Sequence, residues 1–289
     1  MSASTSVDPH LRCTPSVTSV LTFHDETPGR TYFYTYVPPE GVPRVNGNTN
    51  HVPVLIRNGW ELGSGTLETH GFEAGHLPTR FTAWDDAAAI CDTYRPEVEA
   101  QIAAITGASR VVSFDHNVRC DDKAQQQTWA NTSDHTRTAR WVHNDYTPES
   151  ARERAAEILG YVPHGRFAFI NLWRPIREPL RDTPLAVCDG QTIRNEDLER
   201  AALIYPEREG EYFLLRHHVD QRWYWFPEMR NEEALLLKCM DTAASTRFSA
   251  HSAFDNPDAP AGSPPRESIE VRVIAVWDDN GPRRPPARI

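Results

Sequence analysis

The sequence predicts a mainly β protein with flanking helices, an α+β chain built around a sandwich or a jelly-roll barrel. Three observations support this fold class. Many short apolar segments are separated by turn residues, few segments have helical character, and strand-like segments crowd the second half of the chain. Such a pattern is typical of two-layered β architectures. The 289 residues, 39% of them hydrophobic, suffice for one domain with a sizeable core.

The predicted domain organisation is simple. We expect a flexible N-terminus over residues 1–16, a single domain over residues 17–277 and a flexible, Pro/Arg-rich tail over residues 278–289. Within the domain, residues 17–110 are expected to form an N-terminal strand and helix region. Residues 111–277 are expected to form the jelly-roll core.

Two segments have clear helix signals. Asp86–Thr106 is rich in alanine, and Pro96 inside it can open a second helix at its first turn. Thr147-Pro148 is a typical helix start, and the helical stretch Ser150–Leu159 ends at Gly160. A third, short helix is predicted around Asn195–Leu203.

The remaining ordered segments read as strands with apolar or alternating patterns. In the N-terminal region these are Thr31–Val37 and Val52–Ile56. In the core they are Val111–Val118, Phe167–Trp173, Pro184–Val187, Tyr212–His217, Arg222–Phe226, Ala234–Lys238, Thr246–His251 and Ile269–Trp277.

The net charge and the cysteine content indicate which classes of binding partner and which compartment to expect. A formal charge of -10 and a pI near 5.6 argue against nucleic acid or an anionic membrane surface. Five widely spaced cysteines without a CxxC pair indicate neither a zinc knuckle nor a disulfide framework. The start of the chain is polar, and no run reaches the roughly 18 apolar residues of a membrane span. We therefore expect a cytoplasmic protein with reduced thiols that acts on a small molecule. No sequence pattern indicates its oligomeric state.

The sequence contains one candidate metal-binding motif of particular interest, His143-Asn144-Asp145. On a strand, residues i and i+2 point to the same side, so His143 and Asp145 can bind one ion together. A distant His251 can complete a face of two histidines and one carboxylate. Non-haem Fe(II) oxygenases use this arrangement, since it leaves positions open for a cosubstrate and O₂.

The H-x-[DE] pattern is weak when taken alone. Composition leads us to expect roughly two matches by chance, and the chain has three. The competing pairs begin at His24 and His218. His218 lies too close to His251 for the intervening strands of a jelly roll, and His24 lies in the N-terminal region. The segment between His143 and His251 is long enough for these intervening strands.

An anion-binding arginine is expected after the distal histidine. Arg266 and Ser268 stand at i and i+2 at the start of the last strong strand and therefore face the same way. A guanidinium binds a carboxylate through two parallel hydrogen bonds, and a hydroxyl adds a third. Arg272, further along the same face, is the reserve candidate, and a surface arginine at a strand end is the alternative reading of Arg266.

Several longer motifs are similar to one known family, the AsaB-like hydroxylase/desaturases. The family includes gibberellin desaturase-like proteins and relatives of a cephamycin methoxylation subunit. The resemblance spans roughly Val17 to Trp277, and the motifs that carry it are Phe114–Arg119, the H-x-D pair, Asn171–Pro175, Trp223–Met229, Glu233–Cys239, His251–Asp255 and Pro265–Arg272.

The resemblance implies a double-stranded β-helix (jelly-roll, cupin-like) oxygenase that uses Fe(II), 2-oxoglutarate and O₂. Its iron ligands would be His143, Asp145 and His251, and Arg266 with Ser268 would hold 2-oxoglutarate. The reaction implied is oxidation of an unactivated C–H bond in secondary metabolism, by hydroxylation, desaturation or oxidative ring closure, with an amino acid among the candidate substrates. Because Asp145 is present, halogenation is not expected.

Four further residues are candidates for the substrate pocket: Tyr146, Asn171, Trp173 and Arg174. Each has a structural alternative. Trp173 can belong to the core, Arg174 can form a structural ion pair, and Tyr146 can simply pack against its neighbours.

Two other functions stay open at the level of sequence. One is an O₂-independent metal enzyme with the same ligands, an isomerase or hydrolase, in which Arg266 would be dispensable. The other is a non-catalytic partner subunit without metal dependence. The complete ligand set argues against the second.

Overall fold

In the computed structural model, the described residues are 16–121, 135–136, 138–246 and 248–277. The predicted flexible tail and all but one residue of the predicted flexible N-terminus lie outside them. In the described part of the chain, no helix is both long enough and apolar enough to cross a membrane.

The described residues form two sheets. The nine-stranded sheet has the order β1-β3-β12-β9-β14-β7-β11-β10-β2 and the six-stranded sheet the order β4-β13-β8-β15-β5-β6. The strands are β1 Val17–His24, β2 Thr31–Tyr34, β3 Thr49–Asn58, β4 Phe72–His76, β5 Arg110–Cys120, β6 His135–Thr136, β7 His143–Asn144, β8 Phe167–Pro175, β9 Leu185–Cys188, β10 Leu198–Ile204, β11 Glu209–Leu215, β12 Trp223–Trp225, β13 Glu233–Asp241, β14 His251–Ala253 and β15 Glu267–Val276.

Helices are few and lie mainly outside the sheets. They are α-helices at Thr66–Thr69, Ala87–Ala89, Arg95–Thr106 and Pro148–Leu159, a π-helical turn at Ile90–Tyr94, and 3₁₀ turns at Gly59–Leu62, Gly190–Thr192 and Asn195–Asp197. The mainly β prediction is thus confirmed.

The two sheets pack face to face. Trp173 and Leu235 of the six-stranded sheet share a buried cluster with Val187 and Tyr224 of the nine-stranded sheet. The outer face of the six-stranded sheet is covered by the helix Arg95–Thr106. Every residue of β8 is therefore buried, since one face contacts the helix layer and the other the barrel interior.

The N-terminal region is built into the same sheets as the predicted core. β1 and β3 extend the nine-stranded sheet beside β12, and β2 lies at its other edge beside β10. β4 pairs with β13 in the six-stranded sheet. The polypeptide before residue 110 thus adds strands to both layers.

Two predicted elements are wrong. Most of the predicted helix Asn195–Leu203 is strand β10, whose backbone pairs with β11 on one side and β2 on the other. Tertiary pairing here outweighs the helix propensity of its Leu, Glu, Arg and Ala residues. The predicted strand Thr246–His251 begins only at His251, because β14 is fixed by pairing with β9 and β7.

Candidate metal centre

The two sheets bring His143, Asp145 and His251 to one point. His143 begins β7, Asp145 follows that strand, and His251 begins β14 directly opposite His143. One ligand atom from each residue lies within 4.8 Å of the others. Within the described ranges, this is the single group of His, Cys, Asp and Glu side chains able to hold a metal ion.

Both imidazoles direct Nε2 toward the same carboxylate oxygen. The distances to Asp145 Oδ1 are 3.6 Å from His143 Nε2 and 3.8 Å from His251 Nε2. His143 Nδ1 lies 2.6 Å from the carbonyl oxygen of Trp141, and a carbonyl can only accept, so Nδ1 carries the proton. Nε2 of His143 is therefore left with the lone pair that a metal needs.

Burial also sets suitable charge states. Burial and the neighbouring His251 lower the pKa of His143 to about 3, so its imidazole is neutral at neutral pH. Burial raises the pKa of Asp145, but Arg272 and the two imidazoles outweigh it, and the net pKa lies well below its ordinary value. A neutral imidazole and an ionised carboxylate are the forms that bind metals.

The second oxygen of Asp145 faces away from the imidazoles and accepts hydrogen bonds from the six-stranded sheet. Asn171 Nδ2 donates to Oδ2 at 2.8 Å and Arg272 Nε at 3.0 Å. The other guanidinium nitrogens of Arg272 lie 3.0 Å from Asp115 Oδ2 and 2.6 Å from Glu270 Oε1. Arg272, the reserve candidate for 2-oxoglutarate, is thus surrounded by protein carboxylates, and Asn171 contacts Asp145.

A small cavity opens beside the two histidines. It is lined by Arg119, Ala139, His143, Trp173, Leu185, His251, Arg266, Glu270 and Arg272. Three of these side chains are cationic, which favours an anionic ligand.

Arg266 lines this cavity and has no carboxylate within ion-pair distance among the described residues. It is 2% exposed, and its Nε donates to Ser268 Oγ at 2.9 Å. Nη1 lies 3.3 Å from the carbonyl oxygen of Thr183. Burial and the nearby charge of Arg119 lower the pKa of Arg266 to about 9, so it remains charged at neutral pH. A buried charge without a counter-ion is costly, and an anionic ligand would supply one.

The remaining predicted pocket residues separate into two groups. Trp173 lines the cavity and lies under the guanidinium of Arg266. Arg174, the next residue on β8, points to the opposite face, where its Nε donates to Tyr94 Oη at 2.9 Å. It is not among the residues that line the cavity, and its contacts support the structural alternative.

Tyr146 packs against the ring of Phe169, at 4.4 Å between centroids, and is absent from the cavity wall. The structural alternative for this residue is the one that its contacts support.

Sequence reasoning missed Arg119 and Glu270, both of which line the cavity. A signal existed in the strand register. Arg119 pairs with Ser268 across β5 and β15, and Glu270 stands two residues beyond Ser268 on the same face. Once Ser268 was placed in the site, these neighbours could have been placed with it.

The residues present fit a non-haem iron centre. Two imidazoles and one carboxylate on one side of a metal are the donor set of Fe(II) oxygenases. The cavity adjoins His143 and His251 and is lined by the guanidinium of Arg266, which has no carboxylate at ion-pair distance in the described ranges, and this suits an anionic cosubstrate.

Comparisons with known proteins agree with this donor set. The chain is 33% identical over 256 residues to the Fe(II)/2-oxoglutarate-dependent dioxygenase nvfI of Aspergillus novofumigatus, covering 84% of this chain and 89% of that protein. It is 31% identical over 271 residues to the hydroxylase/desaturase efuI of Hormonema carpetanum, covering 83% and 88%.

A comparison with solved structures also supports the jelly-roll fold. The iron and alpha-ketoglutarate-dependent endoperoxidase NvfI superimposes with a TM-score of 0.81 at 29% sequence identity, over 91% of this chain and 98% of that one. This confirms the jelly-roll prediction. Residues 21–276 match the model of the Oxidoreductase/YMDC permease-like domain family. The chain therefore belongs to that family and is an Fe(II)/2-oxoglutarate-dependent dioxygenase, like the relatives it matches.

Proposed function

We propose that this dioxygenase holds Fe(II) with His143, Asp145 and His251, and 2-oxoglutarate with Arg266 and Ser268. The reaction is oxidation of an unactivated C–H bond of a small substrate of secondary metabolism, by hydroxylation, desaturation or oxidative ring closure. Amino acids are among the candidate substrates. We assign the chain to the AsaB-like hydroxylase/desaturases, on the motifs it shares with them.

The single observation that carries the assignment is the position of Arg266. It is a buried guanidinium without a carboxylate partner in the described structure, and it lines the same cavity as His143 and His251. A dicarboxylate can place one end at the metal and the other at this guanidinium. Arg272 is unsuited to that role because Asp115, Asp145 and Glu270 already surround it.

The chain's own residues prepare the site for the reaction. Fe(II) with 2-oxoglutarate and O₂ supplies the oxidant for the C–H bond. His143 is fixed in one tautomer by Trp141, and Asp145 is kept ionised by Arg272. Ser268 holds the guanidinium of Arg266 in place. Positioning of this kind decides which C–H bond reacts.

We also propose that the chain works as one domain over residues 17–277 and in the cytoplasm. The support for the compartment is chemical. The four cysteines of the described residues are free thiols, three of them buried: Cys91, Cys120, Cys188 and Cys239. Reduced thiols are typical of a reducing compartment.

The test is succinate formation from 2-oxoglutarate by anaerobically reconstituted protein, started with air. The wild type is compared with His143→Ala and with the matched control His164→Ala, an exposed histidine away from the site. Amino acids and terpenoid acids are added in turn. We expect iron-dependent succinate in the wild type and His164→Ala, its loss in His143→Ala, and stimulation by the true substrate class.

Two results would contradict the proposal. Tight iron binding without succinate above the iron-free control would favour an isomerase or hydrolase. Neither metal binding nor turnover would favour a non-catalytic partner subunit.

A further inference from the structure

The two carboxylate oxygens of Asp145 have different neighbours. Oδ1 is the oxygen that His143 Nε2 and His251 Nε2 approach, at 3.6 Å and 3.8 Å. Oδ2 accepts hydrogen bonds from Asn171 and Arg272 at 2.8 Å and 3.0 Å. Both lone pairs of Oδ2 are used by these hydrogen bonds, so a carboxylate that binds a metal through both oxygens would have to give up at least one of them.

The two donors come from one row of the six-stranded sheet. Asn171 on β8 is paired directly with Arg272 on β15, and Arg272 is paired in turn with Asp115 on β5. The pairing between β15 and β5 shifts register immediately after Arg272. Such bulges re-aim side chains beside active sites. Asp145 follows β7 of the other sheet, so this row connects the two layers.

Arg272 is itself held at three points. Its Nη1 lies 3.0 Å from Asp115 Oδ2, its Nη2 lies 2.6 Å from Glu270 Oε1, and its Nε bonds Asp145. The guanidinium is planar and rigid, so fixing two of its nitrogens also fixes the direction of the third. Arg272 therefore has little freedom to follow Asp145 if that carboxylate rotates.

We propose that Asn171 and Arg272 are positioning residues that restrict Asp145 to one-oxygen ligation of the metal. This keeps a metal position free that a two-oxygen carboxylate would occupy. The inference rests on the proposed role of Asp145 as a ligand. It gives both residues a function at the metal, in place of the substrate and cosubstrate roles predicted from the sequence.

The first experiment measures Fe(II) binding by calorimetry without oxygen. The variants are Asn171→Leu, which keeps a similar shape but cannot donate, and Arg272→Lys, which keeps the charge but not the planar fork. The matched control is Asn256→Leu, which likewise loses a donated hydrogen bond, 2.9 Å to the carbonyl of Arg181. Loss of such supporting contacts typically weakens metal binding about 10–100-fold.

We expect that weakening in both test variants and none in the control. The second readout is the visible absorption of the anaerobic complex with Fe(II) and 2-oxoglutarate, whose maximum should move in Asn171→Leu and Arg272→Lys only. Circular dichroism and thermal melting identify any variant that fails to fold, and the other variant then carries the test.

His143→Ala separates this inference from the proposed function. If His143→Ala loses iron while Asn171→Leu and Arg272→Lys bind it like the wild type, with unchanged spectra, the positioning role is overturned and the ligand assignment stands. If the wild type itself binds no iron, both are overturned.

Discussion

The guanidinium carbon of Arg266 lies 4.9 Å from the centroid of the Trp173 indole, and the two side chains together form one wall of the cavity beside His143 and His251. The indole face offers a desolvated cation a favourable contact. It also leaves the edge of the guanidinium available for a ligand. Arg266 is thus supported by Trp173 and Ser268, and no carboxylate in the described part of the chain lies at ion-pair distance from it.

Arg266→Lys should therefore weaken 2-oxoglutarate binding selectively. Lysine keeps the charge but loses the fork that binds both carboxylate oxygens and the planar group that stacks on Trp173. A hydrogen bond to a charged group is worth about 1.5–3 kcal/mol, so KM for 2-oxoglutarate should rise about 10–100-fold. Steady-state succinate assays measure it. Arg194→Lys, which alters a surface pair with Asp197, is the control, and an unchanged KM in Arg266→Lys would remove Arg266 from the cosubstrate site.

Arg174→Met should affect stability and leave cosubstrate binding unchanged. The side chain is fully buried on the face of β8 away from the cavity, where it donates to the Tyr94 hydroxyl and to the carbonyl of Asn231. Leaving buried groups unpaired costs about 1–3 kcal/mol each. Urea denaturation should show a loss of that order, with an unchanged KM for 2-oxoglutarate. A raised KM for the substrate with wild-type stability would restore the substrate-pocket role predicted from the sequence.

Three arginines were predicted as binding residues, and the structure places them in different surroundings: Arg174, Arg266 and Arg272. These differences could not be predicted from the sequence. Alternation along a strand predicted correctly that Arg266, Ser268 and Arg272 share a face. It could not reveal which arginine has carboxylates opposite it, because Asp115 and Asp145 reach Arg272 from other parts of the chain. Asp115 and Asn171 flank Arg272 only through the register of three strands.

Local signals were more successful. The helix Pro148–Leu159 was predictable from its Thr147 cap, the proline at its first position and Gly160, which ends it with φ 81°. The ligand pair His143 and Asp145 was predictable from spacing and from the room left before the distal histidine. Strand β10 was not, since its pairing partners lie outside the segment itself.

Removal of the metal should lower the thermal stability of the wild type, and this effect should require the three metal ligands. The folded chain brings His143, Asp145 and His251 together from distant parts of the sequence, so an ion bound there stabilises the folded state over the unfolded one. At a metal concentration 100 times Kd, the gain is about 2.7 kcal/mol. Calorimetry with Co(II) as a redox-stable probe should show a higher Tm that a chelator reverses. His164→Ala should behave like the wild type, and an equal shift in His251→Ala would place the ion elsewhere.

The ion pairs around Asp241 predict an acid-sensitive contribution to stability. Asp241 Oδ2 lies 3.1 Å from Lys238 Nζ and 2.6 Å from Arg166 Nη2, and both Lys238 and Asp241 are 1% exposed. Asp241→Asn leaves the buried ammonium of Lys238 with the half-exposed carboxylate of Glu68, at 3.2 Å, as its remaining ion-pair partner among the described residues. Because that carboxylate remains, the free energy of unfolding should fall by less than the roughly 3–5 kcal/mol typical of a fully broken buried pair, measured by urea denaturation at pH 7. Glu149→Gln, which alters the exposed pair with Arg200, should change it little.

The pH dependence of this contribution follows from the sign of the pKa shift. Burial raises the pKa of Asp241, but the hydrogen bond from Arg166 and the charge of Lys238 outweigh burial, and the folded pKa lies below the ordinary value of 3.8. The unfolded state therefore binds the proton first, and the stabilisation is fully present above the unfolded pKa and lost as the pH falls through the folded pKa. The difference between wild type and Asp241→Asn should stay constant from pH 7 to about 5 and shrink only below about 4. A difference that already disappears between pH 7 and 5 would show that Asp241 titrates near neutrality and that the ion pair does not hold it ionised.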